Sequence, residues 1–248
     1  MNRPLLIERQ VYKPNLHVEE FIVPLLKTKI ESILEHLPDR PGDYKVLDLG
    51  CGGQPFRYLF EKKGHRYVSG DAQNPTGVVD YIAEADKDLP AALIARGPFD
   101  FILCTEVMEH VADWDKAFSN FRLLLRTDGL VLITCPHFYV LHEQPYDFWR
   151  PTIHALRFFA RRYRFEGVHL EASGDSWDVL GTVLGANYGC LRSVDRRLVH
   201  RAAARALNVA FKILYKLLRS RWLQTRFSFA SDLYPIYLSN VALLKKVV

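Results

Sequence analysis

The chain has few of the features that mark secreted, zinc-binding or membrane-spanning proteins. No uninterrupted apolar run approaches the roughly 20 residues needed to cross a bilayer, and the N-terminus has no apolar core of signal-peptide length. Repeats and low-complexity linkers are also absent. The cysteines form no CxxC pair, so neither a disulfide framework nor a zinc site is indicated. They are Cys51, Cys104, Cys135 and Cys190. These absences predict a globular protein of the cytoplasm.

Acidic residues are scarce in the C-terminal segment from Arg192 to Arg226. The 248 residues carry a formal net charge of +5 and a sequence pI of about 9.0. Between Arg192 and Arg226 there are ten Lys or Arg and one acid, a local net of +9, which leaves −4 for the remainder. The basic character therefore belongs to a C-terminal segment, and the bulk of the fold is mildly acidic.

Short apolar runs alternate with helical patterns through the middle of the chain. The runs are KVLDLG, RYVSGD, FDFILCT and GLVLITCP. Continuous apolar strands separated by helices predict an α/β fold whose parallel sheet is covered on both faces.

The two ends of the chain differ from this middle part. Residues 17–37 have apolar side chains at helical spacing and are followed by the breaker PDRPGD. Residues 198–222 predict a long helix and 237–248 a closing strand. We therefore predict one domain over 1–248, with a helical lead (1–42), a ligand-binding core (43–172), a helical insertion (173–236) and the closing strand (237–248).

The loop DLGCGGQPF follows the first strand. Gly50 and Gly52 match a dinucleotide fingerprint, but its third glycine is replaced by Pro55, where close helix packing needs glycine. Asp48 would repel a phosphate and suits a cationic ligand. Pro55 favours a helix that begins near Gln54.

VLDLGCGGQPF resembles the first motif of class I S-adenosylmethionine-dependent methyltransferases, and FDFILCTEVMEHV and LRTDGLVLITCP resemble later motifs of their type 11 group. The resemblance runs from about Asp43 to Phe165. It implies a Rossmann-like, doubly wound, mostly parallel sheet with an antiparallel last strand, and S-adenosylmethionine as cofactor. Gln54 stands where the family has its third glycine, and its side chain either contacts the methionine end of the cofactor or caps the helix.

The resemblance also implies a set of cofactor-binding residues. Asp71, at the end of the second strand, would accept both ribose hydroxyls. Either Glu84 or Asp86 would meet the adenine amino group. The full expected set is Asp48, Gly50, Cys51, Gly52, Gln54, Asp71, Ala72, Glu84, Asp86, Thr105 and Glu106. Glu109 and His110 match a frequent "EH" pair of the group, and His110 is interpreted as structural.

CPHFYVLHEQPYDFWRP follows the fifth strand, where acceptor groups sit in such a fold. It resembles a PYD-containing signature of some type 11 methyltransferases that are associated with surface glycans, although Pro151 replaces an aromatic residue. We expect His142 to be the general base, with Glu143 or Asp147 orienting it or binding sugar hydroxyls. The expected substrate-binding residues are His137, Tyr146, Phe148, Trp149 and Arg150. A packed lid without catalytic role is the alternative for this segment.

Several other assignments are disfavoured by the sequence. The N/D-P-P-Y/F motif of DNA-base methyltransferases is absent after the fourth strand, so no DNA partner is expected. Asp113 and Asp115 are explained by a helix-starting turn, and no metal is assigned.

In the long C-terminal helix, one stripe of mostly basic residues recurs at spacings of three and four: Arg201, Arg205, Asn208, Lys212, Lys216 and Arg219. Leu207, Phe211, Leu214, Leu218 and Trp222 form another. A plain surface helix, contact with an anionic membrane at its inner face, and a homodimer interface all remain open.

Two functions are therefore expected. The first is O-methylation of a sugar, glycan or other hydroxylated small molecule. The alternative is a non-catalytic protein of the same fold that binds a glycan or a partner.

Overall fold

The computed structural model describes residues 11–37, 44–75, 77–194, 197–229 and 235–248. In chain order the elements are α1 (Glu19–Glu35), β1 (Lys45–Leu49), α2 (Arg57–Glu61), β2 (Arg66–Asp71), β3 (Tyr81–Ile82), α3 (Ala91–Ile94), β4 (Phe99–Thr105), α4 (Trp114–Leu124), β5 (Leu125–Pro136), α5 (Ile153–Arg162), β6 (Phe165–Ser173), α6 (Ser176–Ala186), α7 (Leu198–Arg219) and β7 (Ser239–Lys246). A 3₁₀ turn, Met108–His110, lies between β4 and α4. The predicted breaker at 38–43 lies outside the described residues.

The seven strands form one sheet in the order β3-β2-β1-β4-β5-β7-β6. β1, β2, β3, β4 and β5 pair in parallel, whereas β7 runs antiparallel to both β5 and β6. The predicted Rossmann-like sheet with an antiparallel last strand is confirmed. The order reverses between β1 and β4, so the loops that follow these strands diverge and leave a crevice at their carboxyl ends.

Apolar clusters cover both faces of the sheet, which is why its central strands read as continuous apolar runs. One cluster includes α4 and α5, with Phe118 and Phe121 fully buried. The other includes α1 and α2 and takes Tyr215 and Leu218 from α7. No helix of the described residues is long and apolar enough to cross a membrane.

Several helix ends follow directly from local sequence. Asp113 caps α4, since its side chain accepts a hydrogen bond from the backbone N–H of Lys116 at 2.9 Å. This confirms the predicted helix-starting turn. Asp175 and Asp178 form a capping box at the start of α6.

The predicted start of α2 near Gln54 is wrong. Gln54 has a φ of 57°, in the left-handed region, so it cannot belong to a right-handed helix. The chain makes a further turn through Pro55 and Phe56, and α2 begins at Arg57. Gln54 therefore adopts the backbone conformation that glycine favours, at the position where the resembling family has glycine.

Candidate active site

A cavity of about 780 Å³ opens at the carboxyl ends of β1 and β4. Its walls come from the glycine loop, from Thr105 at the end of β4 and Glu106 after it, and from α1 with the segment before it. Tyr12 and Asn15 belong to that segment, and Glu19 is the first residue of α1. The volume lies within the range of about 300–1,000 Å³ that small-molecule sites occupy. The switch point of the sheet therefore holds a ligand-sized cavity.

Two positions of the loop, Gly50 and Gly52, favour glycine for different structural reasons. Gly50 has a φ of 81°, and a Cβ on it would lie 2.2 Å from Cγ2 of Val107. Gly52 also has a positive φ, of 46°, but a Cβ there would meet nothing within 4 Å. Gly50 thus permits close packing against the chain after β4. Gly52 keeps the loop in a conformation that leaves its backbone at the cavity.

Asp48 is buried in the floor of the cavity, where the hydroxyl of Tyr67 donates a hydrogen bond to its carboxylate. Burial raises the pKa of Asp48 to about 7, against the opposing effect of the Tyr67 hydrogen bond. A cationic group in the cavity would favour the ionised form. Tyr67 was not foreseen as a site residue, because only the β1–β2 pairing brings it beside Asp48.

The side chain of Gln54 is held by two partners within the fold. Its buried side chain donates from Nε2 to the carbonyl of Val78 at 3.2 Å, and its Oε1 accepts from Arg57 at 2.9 Å. Both ends of the amide are therefore used to hold the neighbouring loop and α2. Gln54 is not among the residues that line the cavity and does not cap the helix, and its cofactor contact stays a prediction.

Asp71 lies at the end of β2, as expected, and its carboxylate joins the glycine loop after β1 to the loop after β2. Its Oδ2 accepts from the backbone N–H of Gly52 at 2.8 Å, and its Oδ1 accepts from Gln73 at 3.0 Å. Each carboxylate oxygen has a second lone pair, so these bonds leave Asp71 able to accept ribose hydroxyls. Asp71 and the exposed Ala72 do not line the cavity, and their cofactor roles stay predictions.

The two candidates for the adenine contact differ in their surroundings. Oδ2 of Asp86 accepts from the backbone N–H of Asp113 at 3.2 Å, which ties it to the start of α4. Glu84 is exposed. Both carboxylates keep lone pairs that could accept from an amino group, so either stays a candidate for the adenine contact.

Glu106 and Glu109 lead from the cavity toward the segment after β5. Glu106 lines the cavity, and burial raises its pKa to about 7. Glu109 is fully buried, and burial together with Glu106 raises its pKa well above the ordinary value, against the opposing effects of Arg150 and of the Cys135 thiol. Sequence reasoning did not foresee this buried pair of acids, although their three-residue spacing is visible in TEVMEH.

Residues 137–150 form no helix or strand and fold over the 3₁₀ turn. The backbone N–H groups of Phe148 and Trp149 donate to the carbonyl of Glu109 at 2.8 and 3.2 Å. The indole N–H of Trp149 donates to the carbonyl of Val111. Nδ1 of His110 lies 2.8 Å from the carbonyl of Tyr146, in line with its interpretation as structural. The acceptor-side segment is therefore fixed to the end of β4.

His142 lies beside the carboxylate of Asp147, which Arg150 binds through two hydrogen bonds. Nδ1 of His142 lies 3.3 Å from Oδ2 of Asp147 and 3.2 Å from the carbonyl of Val140. Arg150 binds both oxygens of Asp147, at 2.6 and 2.7 Å, and these hydrogen bonds hold the pKa of Asp147 down to about 2 against the effect of burial. An acceptor at Nδ1 favours the tautomer that leaves Nε2 free to take a proton.

The other residues expected around the acceptor fall into two groups. Tyr146, Phe148 and Trp149 are all exposed. Glu143 is exposed too, with Oε2 3.8 Å from Nε2 of His110 rather than beside His142.

His137 and Arg150 have structural contacts instead. His137 stacks on Tyr237 with ring centroids 4.2 Å apart, and its Nδ1 lies 3.0 Å from the carbonyl of Pro151. Arg150 is the clamp on Asp147. Pro151, where an aromatic residue was expected, also accepts a hydrogen bond from Asn240 through its carbonyl.

Glu109, His110 and His142 together could hold a metal ion. One ligand atom from each lies within 4.8 Å of the others. Nε2 of His142 is 4.0 Å from Oε1 of Glu109. The sequence assigned no metal, and a direct test of that assignment is needed because this cluster contains the same histidine that we expect to act as base.

A family described as "Methyltransferase domain" matches residues 20–167, more than half of the chain. The chain belongs to this family. The matched range contains the glycine loop, the acid at the end of β2 and the acceptor-side segment.

Curated relatives match a shorter stretch. The ubiquinone biosynthesis O-methyltransferase of Parvibaculum lavamentivorans is 34% identical over 100 residues, 37% of this chain and 40% of that protein. The mitochondrial enzyme of the same name from Bos taurus is 26% identical over 145 residues, 51% of this chain and 38% of that protein. The chain thus spans about two fifths of the length of these relatives.

Solved structures share the fold across nearly the whole chain. A SAM-dependent methyltransferase from Archaeoglobus fulgidus has a TM-score of 0.55 at 16% identity, covering 92% of this chain and 97% of that one. The [4+2]-cyclase SpnF has a TM-score of 0.51 at 14% identity, covering 96% and 97%. A Haemonchus contortus phosphoethanolamine N-methyltransferase with bound S-adenosylhomocysteine has a TM-score of 0.50 at 18% identity, covering 89% and 53%.

These matches confirm the recognition of a class I methyltransferase domain, its fold and the predicted cofactor, S-adenosylmethionine. The individual site residues stay predictions. The cavity joins Asp48, Gly50, Cys51, Gly52, Thr105 and Glu106.

For this methyltransferase domain, we expect cofactor affinity to depend on the protonation of Asp48. Its pKa of about 7 in the free protein means that most of the carboxyl is protonated at about pH 6. S-adenosylhomocysteine has no sulfonium, but its ammonium group would favour the ionised form of Asp48, so its affinity should fall about tenfold from about pH 8 to about pH 6. Calorimetry at both values measures this change.

Asp48→Asn is the matched control, since the amide does not ionise and retains a hydrogen-bond acceptor for Tyr67. Its affinity should be weak and nearly the same at the two pH values. An equal pH dependence in wild type and Asp48→Asn would show that another group controls binding.

Proposed function

We propose that this protein transfers a methyl group from S-adenosylmethionine to a hydroxyl oxygen of a small molecule. The observation that carries the proposal is the arrangement of His142, held by the Asp147–Arg150 pair, across the buried acids from a ligand-sized cavity at the switch point of the sheet. An alcohol acceptor must lose its proton as the methyl group arrives, and His142 would take it.

The cofactor would supply an activated methyl group, and the protein would mainly align the two reactants. Asp48 and Glu106 would face the cationic part of the cofactor, and the backbone of Gly52 would leave room for it. Nε2 of His142 would accept the proton while Asp147 stabilises the imidazolium that results. Glu109 lies between the two sides and would keep the proton path free of bulk water.

The curated relatives are named O-methyltransferases, which supports oxygen as the acceptor atom. Support for a sugar or glycan rests only on the resemblance of the PYD-containing segment. The exposed rings of Tyr146, Phe148 and Trp149 would stack on the flat or apolar face of either a ring compound or a sugar. An acceptor carried on a lipid would also bring the enzyme to a membrane surface.

The test combines cofactor binding with acceptor capture. Calorimetry with S-adenosylhomocysteine should show binding by the wild type, and Asp71→Ala should weaken it clearly. The protein is then incubated with S-adenosylmethionine carrying a labelled methyl group and fractionated cell extract. Label in a fraction that contains hydroxylated small molecules is the expected result.

A non-catalytic protein of this fold is the competing function. One structural neighbour is named a cyclase, so the fold alone does not establish methyl transfer. Failure to bind S-adenosylhomocysteine would overturn the proposed function. Binding without label transfer to any fraction would favour the non-catalytic alternative.

A further inference from the structure

Helix α7 is only shallowly attached to the rest of the molecule. Of its 22 residues, only Tyr215 and Leu218 are buried. The Tyr215 hydroxyl lies 2.7 Å from Oε2 of Glu20, and Nε of Arg219 lies 2.8 Å from the same oxygen. Both contacts are in the C-terminal third of the helix. The preceding turns therefore present most of their surface to the outside.

An apolar stripe runs along this outward surface. Its members are all exposed and recur at helical spacing, so they share one side of the helix. They are Val199, Ala206, Val209, Ile213 and Leu217. Val209 and Ile213 are 58% and 55% exposed. This stripe was not foreseen from the sequence.

The apolar stripe that the sequence predicted, from Leu207 to Trp222, is partly buried and partly exposed. Its members Leu214 and Leu218 are turned at least partly inward, whereas Leu207, Phe211 and Trp222 are exposed. The helix is thus apolar on its attached side and on a second, outward side. A plain surface helix, with apolar side chains only against the core, does not have this pattern.

A cationic stripe borders the outward apolar one. α7 contains five Lys or Arg and no acid. Lys212 lies over the ring of Tyr188 and Arg219 pairs with Glu20. Within the part of the chain that the structure describes, Arg201, Arg205 and Lys216 make no ion pair. Three exposed cations therefore stand beside an exposed apolar stripe.

We propose that α7 docks the protein onto an anionic membrane surface, lying in the plane of the bilayer. Apolar side chains would enter the boundary between headgroups and acyl chains, while Arg201, Arg205 and Lys216 would bind the anionic headgroups. Charge complementarity selects this occupant over a second copy of the chain. Symmetric pairing of α7 with itself would bring two cationic stripes together, which like-charge repulsion opposes.

The attachment of α7 relates this surface to the cofactor cavity. Tyr215 and Arg219 both contact Glu20, and the adjacent Glu19, together with Val23 of the same helix, lines the cavity. Docking through α7 would therefore hold the α1 wall of the cavity near the membrane. An acceptor dissolved in the bilayer or carried on a lipid would then be delivered next to the site.

Vesicle sedimentation of the full chain tests the proposal. The probes are vesicles of phosphatidylcholine alone and of phosphatidylcholine mixed with phosphatidylglycerol. Wild type should sediment with the mixed vesicles only, and high salt should weaken binding. Arg201→Gln, Arg205→Gln and Lys216→Gln combined should reduce binding about 100-fold, at about fivefold for each charge removed. Val209→Ser with Ile213→Ser should reduce binding without changing net charge.

The matched control removes three exposed cations elsewhere, by Lys62→Gln, Arg96→Gln and Arg161→Gln, and should bind like wild type. Absence of binding to the mixed vesicles would overturn the proposal. So would an equal loss in the control, or a self-association that the α7 variants abolish. Binding of S-adenosylhomocysteine should be unchanged in every variant, which separates this result from the proposed function.

Discussion

Replacement of His142 by asparagine is expected to lower kcat by about 100-fold or more while cofactor affinity stays the same. Proton removal by a positioned side chain contributes about 100-fold to 10,000-fold to such reactions. Nε2 of His142 is the basic atom in our assignment, and asparagine cannot take a proton there. The histidine does not line the cofactor cavity, so calorimetry with S-adenosylhomocysteine should give the wild-type result.

Asp147→Asn tests the same His142–Asp147 pair by changing the carboxylate instead of the histidine. It removes the carboxylate that lies beside Nδ1 of His142 and that Arg150 clamps. We expect an intermediate loss of kcat, because His142 remains but its tautomer and orientation are less well fixed.

His154→Asn is the matched control, since His154 is an exposed histidine of α5 away from this segment. It should keep wild-type kcat. A His142→Asn enzyme within about threefold of wild type would refute the base assignment, since a positioned base accounts for more than that. If dialysis against EDTA removed wild-type activity and Zn²⁺ restored it, His142 would instead act with Glu109 and His110 as a metal ligand.

The sequence predicts most of the fold because its signals are local. Apolar runs of four to eight residues mark the buried strands, and Asp113 marks the start of α4 through a cap only three residues away. The glycine loop and the family motifs likewise place the cavity at the ends of β1 and β4. These features depend on neighbours in the chain, which a sequence displays directly.

The details that escape prediction depend on partners far away in the chain. The amide of Gln54 contacts the carbonyl of Val78, in a loop that reaches it only in the folded state. Tyr67 meets Asp48 through strand pairing. The outward apolar stripe of α7 could be recognised only once Tyr215 and Leu218 showed which side of the helix is attached. Spacing gives the faces of a helix, but not which face is covered.

Glu109→Gln is expected to make the folded protein more stable above neutral pH, although it should impair activity. The Glu109 carboxylate is fully buried, and burial and the nearby Glu106 raise its pKa well above the ordinary value. The Nε2 atoms of His110 and His142 lie 3.8 and 4.0 Å from its Oε1, beyond hydrogen-bond distance. A carboxyl whose pKa is raised by folding contributes stability that is fully present below its unfolded pKa of about 4.3. That contribution is lost as the pH rises toward the folded pKa.

The neutral amide of glutamine has no ionised form to desolvate, so the variant should lack this part of the pH dependence. We expect its free energy of unfolding to exceed that of the wild type by about 1–2 kcal/mol at about pH 8, and by much less at about pH 5. Urea unfolding at the two values measures the difference. Glu143→Gln removes an exposed carboxylate and should stay within about 0.5 kcal/mol of wild type.

Glu106 and Arg150 set the size of this effect. Glu106 opposes ionisation of Glu109, whereas Arg150 favours it. The double variant Glu106→Gln with Glu109→Gln should therefore gain less than the sum of the two single gains, because each acid adds to the cost of ionising the other. A wild type that is as stable as Glu109→Gln at about pH 8 would mean that a bound cation or an adjacent proton donor already compensates the carboxylate. A stabilising variant with reduced methyl transfer would instead show that the buried charge is retained for catalysis at the expense of stability.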